Sequence, residues 1–272
     1  MKTFTTLLLS MTLVMHSQAA PLKSAIINKV VNDVKVSEKS APAQSASEGQ
    51  KLTKSSTVLT GRKSRVELLF QDQTVTRVGA NSIFRFGTDS RDMEINKGSF
   101  LLQVPKNAGG AKIRTATVTA AITGTTVMME YSPGKWLKFI VLEGVASLTN
   151  KNGDTIEVKP GQMLVMNPDA QDFPKLLTIN IDKLVKTSKL LDKDIFGELD
   201  GEAVILIDNT VVQQLELRRK GALLPSGVLV NGPGAGPGNP GIEPSVQTIL
   251  PVRKDSDISS SPKVSPPKVS PL

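Results

Sequence analysis

The sequence predicts an all-β domain, a sandwich or roll of short antiparallel strands, followed by a short α-helical extension and a disordered C-terminal tail. Three observations carry this expectation. Across residues 59–104, apolar side chains fall at every second place in short runs, and a turn residue ends each run. After Pro174 the apolar spacing changes to one that suits helices. From Pro233 onward, nine of the chain's 17 prolines accumulate in low-complexity sequence.

Residues 1–19 read as a signal peptide. Lys2 supplies a positive charge, residues 6–15 form an apolar run, and Ser17-Gln18-Ala19 offers small residues where a signal peptidase reads. The run is shorter than the roughly 20 residues a bilayer span requires. No later stretch is long and apolar enough to be a span, so the mature chain is expected to lack a transmembrane segment. Cleavage after Ala19 is expected to send the protein to the periplasm, or to the cell surface or the extracellular medium. It removes Lys2 and no acidic residue, lowering the formal net charge of +8 by one. It also removes His16, the only histidine, from a chain that has no cysteine. Ser-His-Asp and Cys-His nucleophilic sites, and zinc sites built on imidazole or thiolate, are then excluded within a single chain. The expectation is a protein that is not an enzyme and holds no cofactor or metal. Hydrolysis of a polysaccharide by paired carboxylates needs no histidine and stays open as an alternative. No spacing selects such a pair, and the clustered Asp89, Asp92 and Glu94 fall at a turn.

Residues 20–51 are expected to hold an N-terminal strand over 28–36, rich in valine, and a polar loop over 37–51. The β domain is expected over 52–170. Val66, Leu68 and Phe70 share one strand face, as do Phe84 and Phe86 on a second strand and Leu137, Phe139 and Val141 on a third. Turns are expected at Gln71-Asp72-Gln73, Gly79-Ala80-Asn81, Ser132-Pro133-Gly134 and Pro160-Gly161, with a two-residue hairpin at Asn152-Gly153. In the extension, residues 171–232, one short helix is expected around Ile181, Leu184 and Val185. A second is expected over 202–220, where basic residues and Gly221 mark its end. Residues 233–272, with Ser265-Pro266-Pro267-Lys268 near the end, cannot bury enough apolar surface to offset ordering entropy. That tetrapeptide matches Ser-x-x-Lys by chance, with no pocket expected around it.

The segments Leu59-Thr60-Gly61, Ser64-Arg65-Val66-Glu67-Leu68, Gly98-Ser99-Phe100-Leu101, Ile113-Arg114-Thr115, Val141-Leu142-Glu143-Gly144-Val145 and Pro160-Gly161-Gln162 resemble, in order and spacing, the FecR protein domain family. The resemblance covers about residues 50–170. It implies an extracytoplasmic β domain without catalytic activity. The family's founding type relays a signal from an outer-membrane iron-siderophore receptor to a cytoplasmic sigma factor. In that type, a cytoplasmic segment and a membrane span precede the β domain. Here a leader pattern stands in their place, so the resemblance implies an exported FecR-domain protein without the anti-sigma segment.

Tyr131 and Trp136, the only Tyr and Trp, flank the turn at 132–135. In a four-residue hairpin they would lie opposite each other, face outward near Lys138, and offer an aromatic pair to a sugar or a protein partner. The alternative is a cross-strand pair that only stabilises the hairpin. Arg62, Lys63, Arg65, Arg77, Arg85 and Arg91 are expected to give the domain a basic side. With export, its partner would be an envelope protein or an acidic polymer, not nucleic acid. Asp192, Asp194, Gly197, Asp200 and Glu202 resemble a calcium loop, but from Asp192 the fifth position is Phe196 and the twelfth is Ala203, so the pattern fails. The function expected is binding to an envelope component or partner protein. The alternative is an extracytoplasmic role in signal transduction linked to a receptor and sigma-factor regulation.

Overall fold

The computed structural model describes residues 24–39, 41–87 and 91–222. All of them lie in the first of two compact units, Met1–Gly232; the second, Pro233–Leu272, lies outside the described residues, as do the leader and the Ser-x-x-Lys match. In chain order the strands are β1 (Ser24–Val31), β2 (Val34–Glu38), β3 (Gln44–Ser45), β4 (Lys51–Thr53), β5 (Ser56–Thr60), β6 (Arg65–Phe70), β7 (Val75–Val78), β8 (Ile83–Phe86) and β9 (Asp92–Val104). They continue as β10 (Ala111–Arg114), β11 (Thr119–Ile122), β12 (Thr125–Ser132), β13 (Trp136–Glu143), β14 (Ala146–Thr149), β15 (Thr155–Val158), β16 (Gln162–Met166) and β17 (Leu177–Thr178). Three helices follow: α1 (Ile181–Thr187), α2 (Lys193–Phe196) and α3 (Gly201–Arg219).

The strands form two layers joined by β9. One sheet runs β4-β1-β6-β7-β9-β12-β13-β16-β17. The other runs β3-β2-β5-β8-β9-β10-β11-β14-β15. All these pairings are antiparallel except β9 with β10. The first half of β9 belongs to the second sheet and its second half to the first, with Gly98 at the crossing. Gly98 has φ +111°, and a Cβ there would strike Ser82, meeting its Cα at 2.5 Å. The bend thus requires a residue without a side chain.

Alternation places the core as expected. Val66, Leu68, Phe70, Phe84, Phe86, Leu137, Phe139 and Val141 are buried between the sheets. Phe70, Phe84, Phe86 and Phe100 form a chain of ring contacts at centroid separations of 5.2–5.9 Å, in the range where aromatic pairs attract.

Three local expectations are corrected. The stretch 28–36 is not one strand: it reverses at Asn32, whose φ of 59° suits a short polar side chain, and Asp33. The two arms enter different sheets, β1 beside β6 and β2 beside β5, so the sheets begin upstream of residue 52. The stretch 37–51 carries β3, an edge strand held by two residue pairs and too short to show alternation. Asn152-Gly153 sits inside a longer loop, because Thr149 and Thr155 are the last pair. There the Asn150 side chain accepts from the Asp154 N–H at 2.8 Å and sets a wider turn.

The helices cover the outer face of the first sheet. Each begins with a side-chain cap: Asn180 accepts from the Lys183 N–H, Asp192 from that of Asp194, and Asp200 from that of Glu202. Two of the acids that resembled a calcium loop are therefore helix caps. Gly221, at φ 71°, follows the end of α3. Leu101, Leu142 and Met163 of the sheet pack against Ile181, Leu190, Leu191 and Ile207 in a second core.

Candidate interaction surface

Along β13, alternation divides the side chains between the two faces. Leu137, Phe139 and Val141 enter the sandwich, while Leu142 and Ile140 face the helical layer. Lys138 and Trp136 continue that outer row toward the hairpin tip and emerge from cover, Trp136 being 37% exposed. The loop holds three residues, Pro133-Gly134-Lys135, because Ser132 pairs with Trp136 and Tyr131 with Leu137. This corrects the expected aromatic pair. Tyr131 is 4% exposed and belongs to the sandwich core. A loop one residue shorter than expected puts it on the opposite face from Trp136.

The environment of Trp136 is built from charge. Its indole N–H donates to Glu130 Oε1 at 3.1 Å, and Lys138 Nζ reaches Glu130 Oε2 at 3.1 Å. The same ammonium stands 5.2 Å from the indole ring centroid, a cation–π distance. Glu130 thus holds the ring and the cation against each other, which limits the rotamer entropy a partner would have to remove. The sequence reading missed Glu130. Its spacing of two from Ser132, the true partner of Trp136, is the signal that finds it.

The expected basic side is also corrected. Arg62, Lys63 and Arg85 are exposed and Arg65 is half-buried, but Arg77 and Arg91 are buried. Arg77 donates from Nε to Glu67 Oε2 at 2.6 Å, from Nη1 to the Leu190 carbonyl at 3.0 Å and from Nη2 to the Gly197 carbonyl at 3.2 Å. Its guanidinium lies 4.9 Å from the Phe196 ring centroid. Glu67 Oε1 also accepts from Asn28 Nδ2 at 2.6 Å. Both Nη groups of Arg77 thus dock the helical layer on the sheet, while its Nε and Asn28 satisfy Glu67 within the sheet, as buried charges require. Arg91 ion-pairs with Asp72 at 2.6 Å and donates to the Gly110 carbonyl.

One buried carboxylate sits at the far end of β13. Burial raises the Glu143 carboxyl above its ordinary value, against the opposing effects of the Thr126 hydroxyl, which donates to it at 2.8 Å, and of Lys106. Lys106 is engaged by Glu202 at 2.5 Å, and that hydrogen bond raises its pKa. This ties the chain after β9 to the start of α3. Among the described residues, no group of three or more His, Cys, Asp or Glu could hold a metal ion, and no helix is long and apolar enough to cross a membrane.

No curated protein matches the chain. Two crystal structures of a candidate anti-sigma factor from Parabacteroides distasonis are similar to it. The one at 1.65 Å shares 15% identity at a TM-score of 0.41, over 45% of this chain and 59% of that one. The one at 2.50 Å shares 14% at a TM-score of 0.42, over 48% and 64%. This chain thus spans less than two thirds of the length of either. Residues 56–147, from the start of β5 into β14, match the family described as FecR protein.

Proposed function

We propose that this is an exported, non-enzymatic FecR-domain protein that acts by binding an envelope component or a partner protein through the β12–β13 hairpin tip. The observation that carries the reading is the placement of Trp136. It is the chain's only tryptophan, it faces solvent, and Glu130 and Lys138 hold it in one orientation. A preorganised aromatic with charged neighbours is the composition of a binding hot spot. The leader pattern of residues 1–19 supports export, and the extracytoplasmic setting of the FecR family agrees with it. Protein partners and acidic polymers are the candidates, the exposed Arg62, Lys63 and Arg85 favouring the latter by charge.

The FecR domain favours a second reading, in which the protein serves as an extracytoplasmic component of signal transduction and another chain crosses the membrane to the sigma factor. Affinity capture from envelope extracts separates the outcomes. The wild-type chain is expected to retain a partner that Trp136→Ala loses at unchanged thermal stability. An outer-membrane receptor among the retained proteins supports the signalling reading. Identical capture by both chains contradicts binding through the tip. Glycan hydrolysis that a single Asp or Glu substitution abolishes contradicts the non-enzymatic assignment.

A further inference from the structure

Helix α3 buries polar residues beside apolar ones and leaves other apolar residues in water. Its inward face carries Ala203, Ile207, Thr210 and Gln214, all buried. Thr210 Oγ1 donates to the Leu206 carbonyl of its own helix at 3.1 Å, and Gln214 bonds the Ile179 carbonyl at 2.7 Å and the Ile181 N–H at 3.1 Å. Its outward face carries apolar residues in water: Ile205 at 63% exposure, Val212 at 57%, and Leu215 beside them. Gly201, Ile205, Asp208, Val212, Leu215 and Arg219, all exposed, follow a 4-3-4-3-4 spacing. This is the seam by which two helices pack along their length.

We propose that α3 pairs antiparallel with α3 of a second copy of this chain. Charge selects both partner and direction. The start of α3 carries Asp200 and Glu202, the latter paired with Lys106, and its end carries Arg218, Arg219 and Lys220 against one acid, Glu216, which Arg219 holds at 3.0 Å, so the end keeps a positive surplus. An antiparallel pair sets each acidic end beside a basic one and aligns the helix dipoles favourably, whereas a parallel pair opposes like charges. The seam then has one register. Ile205 of each copy faces Leu215 of the other, Asp208 faces Val212, and Gly201 faces Arg219, which brings Arg219 beside the other copy's Glu202. The contact is isologous, so a two-fold axis closes it as a dimer. The stripe is smaller than the roughly 800 Å² per partner of a standard stable interface, so the dimer is weak and reversible.

The chain contains no cysteine, so an introduced pair reports without background. In the full chain at about 100 µM, a concentration suited to a small interface, Ile205→Cys/Leu215→Cys is expected to form a covalent dimer under mild oxidation. Ile205→Cys alone is expected not to, because the two 205 positions lie ten residues, about 15 Å, apart along the pair. Sedimentation is expected to show loss of the dimer in Arg219→Glu and in Glu202→Lys, and its return when those two chains are mixed. Four results would overturn the proposal: crosslinking by Ile205→Cys alone, a wild-type monomer at that concentration, no rescue on mixing, or crosslinking of the double variant only to another protein in an envelope extract.

Discussion

Two buried charges show how differently a single side chain can act in this fold. Arg77 is fully satisfied by Glu67 and two carbonyls of the helical layer. Arg77→Ala leaves the Glu67 carboxylate buried with only Asn28 for company, and is expected to cost about 3–5 kcal/mol in urea unfolding; a loss below about 1 kcal/mol would mean that the pair is dispensable. Glu143 is raised above its ordinary 4.5 mainly by burial. A folded-state pKa above the unfolded one means that the native state favours the protonated acid. Its contribution to stability is full below the unfolded value and is lost as pH rises through the raised one. Glu143→Gln keeps an acceptor for Thr126 and cannot ionise. It is expected to melt higher than wild type at about pH 7, with the advantage shrinking toward about pH 4; a difference that does not depend on pH would refute this. Neither role was legible in the sequence. Arg77 reads as one member of a basic series, and only the position of β7 under the helices, more than a hundred residues later, makes it a docking group.

At the scale of elements, alternation was the legible part. The inward faces of β6, β8 and β13 stood in the sequence because apolar residues recur at every second place along them, as at Val66, Leu68 and Phe70. Short edges such as β3, and loop lengths such as the three residues after Ser132, were not, because register depends on partners far along the chain. That single residue of loop length decided the candidate site, moving Tyr131 into the core. Helix ends were legible through caps, but the burial of Gln214 in α3 was not, since it finds the Ile179 carbonyl and the Ile181 N–H only on docking. Gln214→Leu leaves the Ile181 N–H and Ile179 carbonyl without it, and is expected to cost about 2–4 kcal/mol. Hydrogen exchange should then speed in α1 and α3 before β12 and β13; uniform acceleration would argue against a separate helical layer. Gly98→Ala, where φ is +111° and Ser82 occupies the space, is expected to destabilise by at least about 2 kcal/mol.

At the scale of the whole molecule, the FecR span is not a self-contained body. β6 needs β1, and β13 needs β16, and both partners lie outside residues 56–147. That segment alone is expected to be unfolded or aggregated by circular dichroism, whereas the full chain unfolds cooperatively. The helical layer closes one outer face of the sandwich and leaves the hairpin tip bare, so architecture as well as composition directs attention to Trp136. The indole is the chain's only one, which makes its fluorescence a direct reporter. The decisive measurement is acrylamide quenching of that emission, free and with the partner captured from the envelope. Ready quenching is expected in the free protein, and protection with a blue shift when the partner saturates it. Quenching that does not change at saturation would show that the partner binds elsewhere.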